Sequence, residues 1–300
     1  MDAREREVSA MCQFKSALCL KDRVFVPDYD SHDRMLDELK ISDDMRHAST
    51  TFVRVEVVPP DGDKLSDPMG WEVRVDQDIL PEWFIPEIDH PRIRQAVAEW
   101  CAAHVLPEDV HTVKDGKWIV VGSTTVEAYG STTVEAYDSA TVKAHGSATV
   151  KAYDSATVKA YDSTTVEAYD SATVKAYGSA TVEAYGSTTV EAYGSTTVEA
   201  YDSATVKARN SATVKAYDSA TVEAYGSTTV EAYDSATVEA RNSATVKAYD
   251  SAIVKAYDSA TVILPLHLQT DKPVELNGNA ICINHRDHTI RSAVSWRQIG

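Results

Sequence analysis

Three clusters in this chain combine chemically capable residues at workable spacings. Cys282-x2-His285-x2-His288 offers one thiol and two imidazoles at intervals that suit zinc. No fourth ligand lies nearby in sequence, so a tail with scattered histidines is the simpler account. Cys101-x2-His104 puts a thiol and an imidazole on one helical face, where an amphipathic edge explains both. Asp28, Asp30, His32 and Asp33 supply the oxygen ligands a divalent cation takes. The same residues are those a helix N-terminus attracts. No glycine-rich phosphate loop or nucleophile elbow is present. The many serines sit in equivalent surroundings, whereas a catalytic serine needs one distinct environment. The expectation is a non-enzymatic chain with no catalytic residue, no cofactor and no metal.

Those serines belong to a repeat. Residues 123–258 are seventeen consecutive copies of Ser-(Ala/Thr)-Thr-Val-(Glu/Lys)-Ala-Tyr-(Gly/Asp), and an eighteenth starts at Ser259 and dissolves after Val262. A strand sends alternate side chains to opposite faces. Positions two, four and six are then Ala or Thr, Val and Ala, a small and mostly apolar set that belongs inside. Positions three, five and seven are Thr, Glu or Lys, and Tyr, which belong outside. Gly, Asp or Asn at position eight tolerates positive φ and marks a corner. One such unit cannot bury its own apolar face, so copies must stack into a β-solenoid.

The number of octads per coil follows from position five, because equivalent residues of adjacent coils lie opposite one another. One octad per coil would make 7 of 16 neighbouring Glu/Lys pairs opposite in charge, two would make 10 of 15, and three would make 11 of 14. One is thereby disfavoured, and two and three remain. The exceptions at position seven, His145, Arg209 and Arg241, fall on one side only if the coil holds two. A two-sided solenoid of 16-residue coils is expected, with a three-sided, 24-residue coil as the alternative. On one side Tyr137, Tyr153, Tyr169, Tyr185, Tyr201, Tyr217, Tyr233 and Tyr249 then form an unbroken outward ladder, a candidate interface. The ladder from Tyr129 to Tyr257 is interrupted by His145, Arg209 and Arg241.

The repeat is flanked by a disordered start at 1–10, a small α+β domain at 11–122 that caps the solenoid, and a C-terminal cap at 263–300. Residues 17–27 read as one or two short strands, and Ser31 caps a helix through Leu39. Residues 51–58 and 71–75 alternate as strands around the turn at 59–63. Pro91 is placed to open a helix through His104. Residues 112–121 suggest a hairpin around Asp115-Gly116, and 280–283 and 289–296 suggest finishing strands. Net charge is −17. It divides as −10 over residues 1–122, −8 over 123–262 and +1 over the tail. Neither large segment has the basic patch that nucleic-acid binding needs. No run is apolar and long enough for a membrane span or signal peptide. The four cysteines do not cluster into a disulfide framework, so a cytoplasmic location is expected.

The run Ala-Tyr-Gly-Ser-Thr-Thr at 128–133 resembles the Ala-Gly-Tyr-Gly-Ser-Thr-x-Thr octapeptide of bacterial ice-nucleation proteins. That resemblance implies a 16-residue-coil β-solenoid with a tyrosine ladder, over the repeat alone. It implies ice activity less well, because the outward Thr is followed two residues later by Glu or Lys rather than a second Thr. The overall layout is similar to uncharacterised bacterial and phage repeat proteins. The expected function is that of a scaffold or interaction protein. Its solenoid would be a rigid spacer and self-association surface, giving a homodimer through the ladder, and residues 11–122 would bind a protein partner. The alternatives are an ice- or water-structuring protein and an acidic mimic of nucleic acid that blocks a DNA-binding protein.

Overall fold

A computed structural model describes residues 15–60, 68–265, 274–285, 289–293 and 296–298. The start at 1–10, part of the turn at 59–63, and His288 lie outside the described residues. The chain divides into two compact units, one through Val105 and one from Leu106 onward.

The first unit is α+β. Four antiparallel strands, β1 (Lys15–Leu20), β2 (Val24–Phe25), β3 (Phe52–Val58) and β4 (Glu72–Val75), lie in the order β2-β1-β3-β4. Helix α1 (His32–Leu39) is capped as its sequence suggests, with the Arg34 amide donating to the Ser31 hydroxyl. A short helix, α2 (Met45–Ala48), precedes β3. Helix α3 runs Pro86–His104, so it opens on Pro86 rather than Pro91. Its first turn is secured by the Asp89 carboxylate, which accepts the Ile85 amide at 2.8 Å. Pro91 therefore sits inside the helix, one turn further on. Ile93, Val97, Trp100 and Cys101 form its buried stripe.

The second unit is a two-sided β-solenoid of 16-residue coils. Each octad contributes one four-residue strand from positions three to six, as in Thr189–Ala192. Strands alternate between an eleven-stranded and a fourteen-stranded sheet. Residues sixteen apart pair in parallel and in register, as Val174, Val190 and Val206 do. Every repeat Val at position four and every Ala at position six is fully buried. Such small side chains let the two sheets approach closely. Thr at position two is buried as well, and its hydroxyl donates to the carbonyl three residues back, as from Thr132 to Tyr129 at 2.6 Å.

The solenoid begins before the repeat does. Val110–Val113 and Lys117–Val120 pair in parallel with the first two octads, not with each other. The expected hairpin is thus a coil, and the expected boundary at 122 moves back to Val105. Asp115-Gly116 does turn the chain, but as a corner, with Gly116 at φ +80°. The far end behaves likewise. Val274–Leu276 and Ile281–Asn284 add another coil, with Cys282 in register with Val262. Thr289–Ser292 and Trp296–Gln298 then turn antiparallel, as finishing strands.

Candidate interaction surface

Each ladder tyrosine follows the last residue of its strand, and its amide still bonds the preceding coil, as Tyr153 does to the Ala136 carbonyl at 2.9 Å. The ring positions therefore inherit the strand spacing. From Tyr137 to Tyr249 all eight rings stack without a break, at 4.6 to 5.1 Å between centroids and within 9° of parallel. The faces of the rings are consumed by this stacking. Tyr153 is only 5% exposed and Tyr169 9%. What the ladder offers a partner is a strip of ring edges and hydroxyls.

The hydroxyls have partners too. Where position five is Glu, the tyrosine two residues later donates to it, at 2.7 Å for Tyr185 to Glu183 and for Tyr201 to Glu199. Several of these glutamates also pair with lysines of the neighbouring coil, Glu199 with Lys215 at 2.8 Å and Glu231 with Lys247 at 2.9 Å, whereas Glu183 lies between Glu167 and Glu199. Those lysine bonds, aided by the tyrosine hydroxyls, hold the Glu199 and Glu231 carboxyls below the usual range. Burial, with the hydrogen bond to glutamate, pushes the phenols of Tyr185, Tyr201 and Tyr233 well up.

The second ladder is less interrupted than expected. His145 stacks between Tyr129 and Tyr161 at 4.8 and 4.7 Å. The Arg209 guanidinium lies 6.0 and 5.2 Å from the rings of Tyr193 and Tyr225, a cation–π bridge. Arg241 covers Tyr257 at 4.7 Å and pairs with Glu239.

A feature that position five alone does not reveal lies at position eight. The corners that leave the fourteen-stranded sheet carry Asp138, Asp154, Asp170, Asp202, Asp218, Asp234 and Asp250, with Gly186 the exception. The corners that leave the eleven-stranded sheet are mostly Gly or Asn, with only Asp162 and Asp258 acidic. All these residues take positive φ. Each aspartate also accepts the corner amide of the preceding coil, as Asp154 does from Asp138 at 3.1 Å and Asp202 from Gly186 at 2.9 Å. Asn242 does the same for Gly226.

The chemical clusters do not assemble among the described residues, and His288 of the first lies outside them. Cys282 points into the solenoid core in place of a valine, and burial raises its thiol to about 11. Cys101 is buried on α3, while His104 stacks on Trp100 and meets Asp28 at 3.0 Å. Asp30 is engaged by Lys15 at 2.7 Å and by the Ser16 amide, and His32 by the Val55 carbonyl. No group of three potential metal ligands comes together among the described residues. A shallow recess of about 310 Å³ beside α1 is lined mainly by Asp33, Asp37, Lys40 and Asp43. No helix among the described residues is long and apolar enough to cross a membrane. No known protein family matches the chain, and no curated protein or solved structure is significantly similar to it.

Proposed function

We propose that the chain is a non-enzymatic scaffold or interaction protein of the cytoplasm. The solenoid serves as rigid spacer and self-association surface, and residues 11–122 take a protein partner. The unbroken stack of eight tyrosines carries this proposal. A surface held at one-coil spacing by both backbone bonds and ring stacking is pre-ordered, so a partner need not immobilise it on binding. The test is sedimentation of the full chain across concentration, beside Tyr185→Ser and Tyr201→Ser. Association that the two substitutions weaken supports the ladder as the contact. A chain that stays monomeric at high concentration refutes it.

Mimicry of nucleic acid ranks second and is favoured by the aspartate row. One carboxylate per coil is one charge per about 4.8 Å, sparser than the phosphate per roughly 3.4 Å of a single DNA strand. Competition by this chain for a DNA-binding protein, abolished by moderate salt, would promote it to first place. Ice structuring ranks last, because each outward Thr row runs beside a row of charged Glu and Lys.

A further inference from the structure

The two edges of the solenoid differ sharply in charge. Over 123–262, the fourteen-stranded sheet and the corner that follows it carry five Glu and seven Asp against three Lys, net −9. The eleven-stranded sheet and its corner carry four Glu and two Asp against five Lys and two Arg, net +1. The unbroken tyrosine ladder lies on the acidic side. A two-fold contact of ladder against ladder would therefore bring two rows of seven aspartates face to face.

The other side holds cations that the fold leaves unneutralised. Lys159 stands between Lys143 and Lys175 in its row and makes no ion pair among the described residues. Arg209 is clamped between Tyr193 and Tyr225 and makes no ion pair among the described residues. Arg209 and Arg241, the latter already paired with Glu239 of its own octad, are two coils apart, as are Asp202 and Asp234 on the acidic corner. Equal coil spacing lets both pairs meet in one register.

We infer that the partner of the acidic ladder edge is the cationic edge of a second copy of this chain. This rests on the self-association proposed above. A contact between unlike surfaces is heterologous, so unless the rotation between copies closes a ring, growth is open-ended and stops at no fixed number. It is also steered by charge and weakened by salt.

The experiment is sedimentation velocity on the full chain and two variants. One is D202N/D218N/D234N, which removes acidic charge while keeping an acceptor that Asn242 shows the corner tolerates. The other is R209Y/R241Y, which restores the repeat residue. Circular dichroism should show both folded like the wild type before they are compared. The wild-type mass should rise with concentration at low salt and fall to monomer in high salt. Each variant alone should associate at least tenfold more weakly. An equimolar mixture should recover dimers and nothing larger, because each variant keeps the edge the other lacks. Dimers that survive salt and both charge variants, but not Tyr185→Ser, overturn the inference and leave the ladder contact standing. A wild-type chain that is monomeric throughout overturns both.

Discussion

Val190→Asp tests the inside/outside assignment most directly. Val190 is fully buried, between Val174 and Val206 in its row. Removing its side chain from the core forfeits about 1.5–3 kcal/mol of burial. The incoming carboxyl finds no free donor on that face. The Thr188 hydroxyl, two residues earlier, already donates to the Tyr185 carbonyl at 2.5 Å. An unsatisfied buried polar group costs roughly 2–7 kcal/mol more, for a total of about 4–10 kcal/mol. That rivals the whole stability of an ordinary domain, about 5–15 kcal/mol. Coils interact only with their neighbours, so the loss should be local. In hydrogen exchange the amides of Thr173–Ala176, Thr189–Ala192 and Thr205–Ala208 should lose protection first, while strands several coils away keep theirs. The control is Glu191→Gln, next in sequence but facing out. Glu191 accepts the Tyr193 hydroxyl and pairs with Lys175 at 3.3 Å, and glutamine keeps the first contact. Its change should stay within about 0.5 kcal/mol, as for other surface pairs. Equal melting temperatures for the two variants would refute the assignment of faces.

Three further outcomes follow from single contacts. Asp202→Ala should destabilise by about 1–3 kcal/mol, because alanine is strained at φ +54° and leaves the Gly186 amide without its acceptor; thermal unfolding equal to wild type would contradict the corner role. Tyr185, Tyr201 and Tyr233 hold their protons above the ordinary phenol range, near 10. The unfolded chain ionises first, so their stabilisation is complete below about pH 10 and lost as pH rises through the raised values; a urea midpoint that does not fall in alkali would count against the hydroxyl–glutamate bonds. Cys282, with its thiol raised to about 11, should resist alkylation at neutral pH until the last coil opens; modification at the rate of a small free thiol would remove it from the core.

The repeat disclosed its own fold because its signals agree. Parity placed Val and Ala inside, and the Glu/Lys row and the three exceptions at position seven selected the 16-residue coil. The errors lie where the sequence leaves the octad. Residues 110–120 keep strand alternation but lose the repeat spelling, so Asp115-Gly116 read as a hairpin turn although it is a solenoid corner. A parallel coil and an antiparallel hairpin share that local pattern, and only the register to the next octad separates them. The helix start was mistaken for a related reason. Both Pro86 and Pro91 can open a helix, and the Asp89 carboxylate that settles the matter acts through a side-chain contact. The tyrosine ladder is visible in the sequence as residues but not as stacked, half-buried rings, since stacking hides faces that outward direction alone would expose. The charged edges are legible in the sequence, though not from position five alone. Asp and Gly at position eight are equivalent as turn formers, and only their sorting by alternate octads reveals that one edge keeps the acid.

That sorting bears on stability as well as contact. Asp218 has Asp202 and Asp234 as its corner neighbours, whereas Asp162 lies between Gly146 and Gly178. Both accept a corner amide, Asp218 from Asp202 at 3.2 Å and Asp162 from Gly146 at 3.1 Å. Replacing either with Asn keeps an acceptor but removes charge assistance, a loss of about 1 kcal/mol. For Asp218 the same change relieves two repulsions. Like charges about 4.8 Å apart in water cost about 0.9 kcal/mol each before screening. Relief therefore outweighs loss at low salt for Asp218 and is absent for Asp162. Asp218→Asn should melt at or above the wild-type temperature in dilute buffer, and fall below it when salt shortens the screening length to about 3 Å at 1 M. Asp162→Asn should melt below wild type at low salt as well. If the two variants shift together at both salt concentrations, the aspartate row is not a repelling array. If they diverge as stated, the acidic edge is held against its own repulsion although asparagine, which the chain already uses at 210 and 242, would fold at least as well. A charge kept at a cost to folding points to what it meets outside the fold, and under the self-association proposed above that is the cationic edge of a second copy.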